Sequence, residues 1–422
     1  MSNLSRSTFH GSSILGSSIL VTALIAGFAL HYTNDVRAAG GPVEPPHGSF
    51  RVLAPIESGN LLLFPVVQSG KTPASPFLTL DEGIKSGQVE VTEAGRVRGL
   101  VRPRPAQGRL DDGVARPFPI PEPPQFRGDQ VNTLVLVNNS DKPLLLLAGE
   151  IVTGGKQDRV IAKDRIVPAG SDPIDLSVFC IEPGRWTEDT ATFRASAKSS
   201  AQSIMVQPTV RAKAMVANDQ QEVWNSVHGV IAGALAAPTA PPPGVAMAGP
   251  QPVNRDFNSL GTTSYARAMQ SAAVSQKVDE AAAPLMKSRE QVLEKLREEH
   301  AVGVVVAVRG QIVWADIFSD ADLLARYWTK LVRSYAAESL LDAEAHTAPS
   351  VADAQHFLDA PAGGTETSIG DVGIYRYKEL RSGGTETFVL ESLLTGADYD
   401  VHISKVKLRG EVRRVSAPNM FR

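Results

Sequence analysis

Hydrophobic positions along the chain follow two different periods. Between residues 50 and 186 the apolar runs are short and either continuous or alternating, as in strands. Leu61-Leu62-Leu63-Phe64-Pro65-Val66-Val67 is continuous and ends at Gly70 and Pro73. Phe77 to Gly83 predicts a further short strand, and Val89-Glu90-Val91-Thr92-Glu93 alternates as a half-exposed strand does. Asn132 to Val137 predicts a buried strand, Asn138 to Pro143 a turn, and Leu144 to Leu147 the partner strand. Val160-Ile161, Ile166-Val167 and Ile174 to Ile181 continue the sheet. Nothing in this half repeats at the helical period, so a sandwich-like or barrel-like sheet is its natural form.

Beyond residue 187 the helical period appears. Val223, Trp224, Val227, His228 and Ile231 form one stripe of a helix over Asp219 to Leu235. A second helical stretch runs from about Ser264 to His300, with a break expected at Pro284 and an inward face of Tyr265, Met269, Ala272, Val292, Leu293 and Leu296. Val302 to Val308 and Ile312 to Phe318 flank Arg309-Gly310 and predict a hairpin through the core. Ser319, with Asp322 three residues on, is the expected cap of a helix whose Leu324, Tyr327, Trp328, Leu331 and Tyr335 share a face. Ser350 to Gly370 reads as irregular, and Gly373 to Glu379, Thr385 to Leu393 and Val401 to Val406 as strands. The fold class is α+β: a β-dominated N-terminal half over 50–186, then 187–410 with helices packed on a mixed sheet.

Other stretches delimit these parts. Residues 1–38 read as a signal peptide, with an uncharged stretch from Gly11 to Leu30 and Val36-Arg37-Ala38 before the cut. An uncleaved N-terminal anchor is the alternative, and either reading puts the body of the chain in the periplasm or outside the cell. Residues 39–49 form a flexible lead, 238–252 a mobile loop and 411–422 a tail. Pro103 to Pro124 holds seven prolines and is a loop-like insert. With 42 basic and 45 acidic residues and no dense basic patch, nucleic acid is not an expected partner. Cys180, the single cysteine, lies in an apolar run and is expected to pack rather than react.

The candidate chemistry is concentrated in Gly149-Glu150-Ile151-Val152-Thr153-Gly154-Gly155-Lys156-Gln157-Asp158-Arg159. Glu150 and Asp158 offer an acid and a base or hard-cation ligands, and Lys156 and Arg159 offer charge for an anion. A phosphate loop is excluded, because Gln157 stands where that motif needs a hydroxyl. The same residues also suit an ion-paired hairpin corner, with Glu150 bound to Lys156 or Arg159. Common hydrolase motifs are missing from the sequence. Of the eight histidines only His228 combines a helix with apolar neighbours, and His346 and His356 are poorly placed for a metal.

The chain resembles the bacterial ARPP-1 family, a domain associated with rhodanese-phosphatase superfamily proteins. The resemblance rests on Gly149-Glu150, the core Gly154-Gly155-Lys156-Gln157-Asp158-Arg159, and a later pattern of Gln221, Trp224, Gly303, Gly310, Asp316, Phe318, Tyr327, Trp328 and Leu331. It implies a domain without an assigned activity. The expected function is non-enzymatic binding of a ligand or protein partner through Glu150, Lys156, Gln157, Asp158 and Arg159. One alternative is a hydrolase of an envelope polymer or anionic small molecule using Glu150 and Asp158. The other is a scaffold subunit presenting an apolar patch around Trp328. No cofactor or oligomeric state is legible.

Overall fold

The computed structural model describes residues 50–69, 75–94, 133–183, 190, 192–195, 204–217, 219–237, 260–287, 289–341, 346–361 and 365–408. The expected leader, lead, proline-rich insert, 238–252 loop and tail lie outside the described residues.

Alternation builds the N-terminal half. Val89 and Val91, Leu134 and Leu136, Leu144 and Leu146, and Leu176 and Val178 turn one side of their strands toward a common core. The alternate positions Leu145, Leu147, Phe179 and Ile181 belong to a second, larger core. Both faces of Leu144–Leu147 are therefore apolar, which is why it reads as a continuous hydrophobic run. A six-stranded and a three-stranded sheet share this first core, in a curled, half-barrel arrangement. Leu78–Thr79 pairs parallel with Leu144–Leu146, while the other described pairings are antiparallel, Ile174–Cys180 lying between Thr133–Asn138 and Arg159–Ile161.

The C-terminal half packs helices against a sheet of nine strands. Its order is Phe50–Val52, Leu61–Gln68, Ala301–Val308, Gln311–Phe318, Ala397–Lys407, Thr385–Leu394, Tyr375–Ser382 and Thr365–Asp371, with Ile56–Ser58 also on Leu61–Gln68. Second and third in that order, Leu61–Gln68 of the N-terminal half is joined to Ala301–Val308 of the C-terminal half. Pro65 fits there because Phe50–Val52 pairs with residues 66–68 and Ile56–Ser58 with 61–63, so its missing N–H faces a gap between two short strands. Leu61, Leu63, Val304 and Val306 face the larger core, with the helices Ala272–Lys287 and Ala321–Ser339. Leu62, Phe64, Val305 and Ala307 face the helix Val351–Asp359 through Ala354 and Phe357.

Several expectations are corrected. Leu80–Lys85 is a helix rather than strand, because Thr79 and Glu82 close a reciprocal capping box. Val351–Asp359, expected to be irregular, is a helix capped in the same way by Ser350 and Asp353. Asp320, not Ser319, caps Ala321–Ser339, its carboxylate accepting from Leu323 N at 2.8 Å. The helix Ala272–Lys287 runs through Pro284, and the preceding break falls at Ser271, whose ψ of 146° leaves the helical region. Ala272 is exposed, and Val274 and Val278 take the inward face. His228 is exposed on its helix.

Candidate functional site

The charged turn joins Ile151–Thr153 to Arg159–Ile161, and glycine makes its shape possible. Gly154 and Gly155 have φ of 120° and 51°, and a Cβ on either would collide with Thr190 or Phe193. Carboxylates then collect the turn's amides. Asp158 Oδ1 accepts from Gly154 N at 3.0 Å, Glu93 Oε1 from Lys156 N at 2.8 Å, and Glu182 Oε2 from Asp158 N at 3.0 Å. Gln157 Nε2 donates to the carbonyl of Glu182 at 3.0 Å. Ser264 donates to Asp158 Oδ2 and caps the helix Tyr265–Gln270 by accepting from Arg267 N. A cleft of about 140 Å³ lies between turn and helix, lined by Thr153, Gly154, Asp158, Thr190, Arg194 and Arg267 among others.

Glu150 belongs elsewhere. Ile151 pairs with Val160 and Val152 with Arg159, so Asp158 is in phase with Ile151 and Glu150 with Val152. The sequence expectation of a Glu150 pair with Lys156 or Arg159 is corrected: its partner is Lys330, from the helix Ala321–Ser339, at 2.6 Å. Lys330 also meets Asp81 at 2.8 Å, and Glu150 Oε2 accepts from Leu147 N at 2.8 Å. Burial pushes the Glu150 carboxyl above its ordinary value against the pull of Lys330. Burial opposes the charge on Lys330, but Glu150 and Asp81 outweigh it and hold its pKa above the usual lysine value. The two upward shifts differ in origin: burial, with a smaller push from Asp81, raises Glu150, whereas the two carboxylates raise Lys330. Arg159 is fully buried on its strand, in register with Cys180. Burial raises the Cys180 thiol, with Arg159 drawing it back. Lys156 is half-buried.

A larger ionic cluster lies outside the turn. His402 contacts Asp164 Oδ2 through Nδ1 at 2.6 Å and Asp316 Oδ1 through Nε2 at 3.2 Å. Both acceptors are carboxylates, so both ring nitrogens donate and the imidazole is charged. Burial works against that charge, yet Asp164 and Asp316 outweigh it and raise the His402 pKa. Arg211 pairs with Asp316 Oδ2 at 2.8 Å, Tyr335 donates to the same oxygen, and Ser404 Oγ donates to Oδ1 at 3.0 Å. Burial disfavours the Asp316 anion, but Arg211 and His402 hold its carboxyl far below the usual range. Ala148 N anchors the far end on Asp164 Oδ1 at 2.7 Å. The chain Asp164–His402–Asp316–Arg211 carries balanced charge and ties the half-barrel to the nine-stranded sheet. It has no exposure to solvent at His402 or Asp316.

Asp316 in the apolar strand Gln311–Phe318 was the one signal of this cluster in the sequence, since a charge in such a setting needs a partner. His402 gave none, because its strand neighbours say nothing about Asp164. Among the described residues no group of three or more His, Cys, Asp or Glu is disposed to hold a metal ion.

A family model for ARPP-1, the ARG and Rhodanese-Phosphatase-superfamily-associated Protein domain, matches residues 49–406. The chain belongs to the ARPP-1 family. The matched stretch of this ARPP-1 chain contains the turn, the cleft and both ionic clusters, and the family carries no assigned activity. No curated protein and no solved structure matches the chain. Among the described residues no helix is long and apolar enough to cross a membrane.

Proposed function

We propose that this ARPP-1 chain is an exported, non-enzymatic binding domain that takes a small anionic ligand in the cleft beside the charged turn. The observation that carries this reading is the pairing of Arg194 and Arg267, both exposed, on a cleft floored by Gly154 and Asp158. Two guanidiniums offer forked donors to carboxylate, sulfate or phosphate oxygens. Asp158 accepts from Gly154 and Ser264, which leaves it to shape the floor rather than to attack a bound molecule. Of the other residues there, Gln157 holds the turn's shape through the carbonyl of Glu182 and Lys156 adds positive charge, while Glu150 is held by Lys330 away from the cleft.

The hydrolase reading finds less support, because Glu150 and Asp158 lie in opposite phases of the hairpin and bind different partners. The scaffold reading relied on Trp328, which is 1% exposed and packs in the core.

Thermal shift against phosphate, sulfate and small di- and tricarboxylates tests the proposal. A ligand at a hundredfold excess over its Kd stabilises by about 2.7 kcal/mol, a shift of a few degrees. The expected result is a shift that Arg194→Ala and Arg267→Ala each reduce. A wild-type protein that ignores the whole panel, or variants that respond as wild type does, would overturn the reading. Recovery of a chain starting near residue 39 from the periplasm or medium checks export.

A further inference from the structure

The nine-stranded sheet ends on Thr365–Asp371, which pairs with Tyr375–Ser382 on one side and with no described strand on the other. An open edge presents a row of unpaired N–H and C=O groups, and natural sheets blunt such edges by keeping them short or covering them. This molecule does so elsewhere. Among the described residues Phe50–Val52, Leu78–Thr79, Arg165–Val167 and Arg194–Ala195 end their sheets with two or three residues each. Val89–Glu93 is longer, and Phe193 N donates to its Val91 carbonyl at 2.9 Å. Thr365–Asp371 has seven residues, an unbroken register, and neither lysine nor proline.

Three observations mark this edge as a docking surface. Residues 366–370 are all exposed. An apolar row crosses the sheet through Leu390 and Tyr377, both fully buried, and stops at Ile369, which is 51% exposed. Ile369 and Val372, at the tip of the same hairpin, are two of the three exposed large hydrophobic residues among those described, so the apolar surface is concentrated here. The hairpin is also held still. Asp371 pairs with Arg165 at 3.0 Å and Glu379 with Lys163 at 2.6 Å, which ties both of its strands to the half-barrel. An edge fixed in advance loses little freedom when another strand joins it.

The residues of the strand point to its partner. Laid antiparallel on a second copy about a two-fold axis through Ser368, the strand sets Ser368 against its symmetry mate, Thr367 against Ile369 and Glu366 against Gly370. Threonine and isoleucine then meet on one face as β-branched cross-strand pairs, which stabilise a ladder. Glu366 faces a residue without a side chain, and no like charges are opposed in these pairs. Partners in this register differ by an even number of positions, so residues whose backbone groups point outward meet residues whose groups do the same. Two copies close such a contact completely, because each offers the same patch. We propose that the chain forms a reversible two-fold dimer by joining Thr365–Asp371 of two copies into one continuous antiparallel sheet.

Sedimentation equilibrium of the intact chain over a range of concentrations is the first readout, and a monomer–dimer equilibrium is the expected result. Ile369→Lys sets a charge near its own symmetry mate and should weaken the dimer about tenfold. Ile369 is exposed on an edge, so this variant keeps the fold. Oxidative cross-linking reads the register. Opposed α-carbons in an antiparallel ladder lie about 4.5–5.5 Å apart, within reach of a disulfide. Cys180 is buried and does not compete. Ser368→Cys should therefore cross-link two chains, whereas Glu366→Cys, about 14 Å from its symmetry mate, should not. A chain that stays monomeric at every concentration would overturn the proposal, whether the edge is idle or takes an extended segment of another protein. A dimer that Ile369→Lys leaves unchanged, or equal cross-linking of the two cysteine variants, would place the contact elsewhere and overturn it as well.

Discussion

In the turn from Gly154 to Asp158, carboxylates hold backbone amides; around Asp316 they hold other side chains. The first arrangement gathers Glu93, Glu182 and Ser264 onto a single turn, and its outer surface meets solvent at Arg194 and Arg267. The second gathers Asp164, Arg211, Asp316, Tyr335, His402 and Ser404 from separate segments and excludes water. The same residue types thus yield a shaped edge in one place and a fastening between layers in the other. Charge density along a chain does not distinguish them, and neither does burial of the carboxylates; the nature of the donor does.

The sharpest way to break this comparison is Asp316→Ala. It would strand Arg211 and His402 without their common anion, and breaking a buried pair from one side costs about 3–5 kcal/mol. Urea unfolding should show that loss, and a change below about 1 kcal/mol would reduce the cluster to a passive contact. Lys330→Met should come next, at about 3 kcal/mol, because Glu150 and Asp81 then face each other unshielded. Adding Glu150→Gln should recover part of that loss in a double-mutant cycle, whereas strict additivity would deny the coupling.

His402 predicts a pH effect of intermediate size. Its folded pKa lies above the unfolded value near 6.5, so the folded state retains a proton that the unfolded state releases. Its stabilising contribution is full below pH 6.5 and declines as pH rises through the folded pKa, by at most about 1.4 kcal/mol per pH unit. Asp316, shifted down from 3.8, acts in the other direction: its contribution is present above that value and falls with acidification. Stability followed from pH 6 to 9 should fall more steeply in wild type than in His402→Gln; parallel curves would remove His402 as the origin. The smallest effects belong to the turn. Gly155→Ala, with positive φ and Phe193 in its path, should lower stability by about 1–2 kcal/mol, while Arg267→Ala stays within about 0.5 kcal/mol. Thermal melts that reverse this order would place the structural weight on the arginine.

How much of this was legible in the sequence follows from distance along the chain. The hairpin of Ala301–Val308 and Gln311–Phe318 is read from local pattern, and positive φ at Arg309 and Gly310, 52° and 79°, confirms its tight turn. Leu324, Tyr327, Trp328, Leu331 and Tyr335 are all buried, as their shared face predicts. Short helices escaped because Leu80–Lys85 and Val351–Asp359 offer too few turns for a period, and their capping boxes were the overlooked cue. The turn at Gly154 was conspicuous because its residues are contiguous. The partners of Glu150 and His402 were invisible because Lys330 and Asp164 reach them only through tertiary packing.

The pairing of Leu61–Gln68 with Ala301–Val308 sets a timetable for folding. Leu61 and Val308 are register partners, so the ladder that joins the two halves of the chain closes only after most of the chain has been made. Contacts of such long sequence separation form slowly, and until then the hydrophobic strand Leu61–Gln68 has a bare edge. A chain stopped before residue 300 would keep that edge permanently, and its characteristic failure would be aggregation rather than loss of binding.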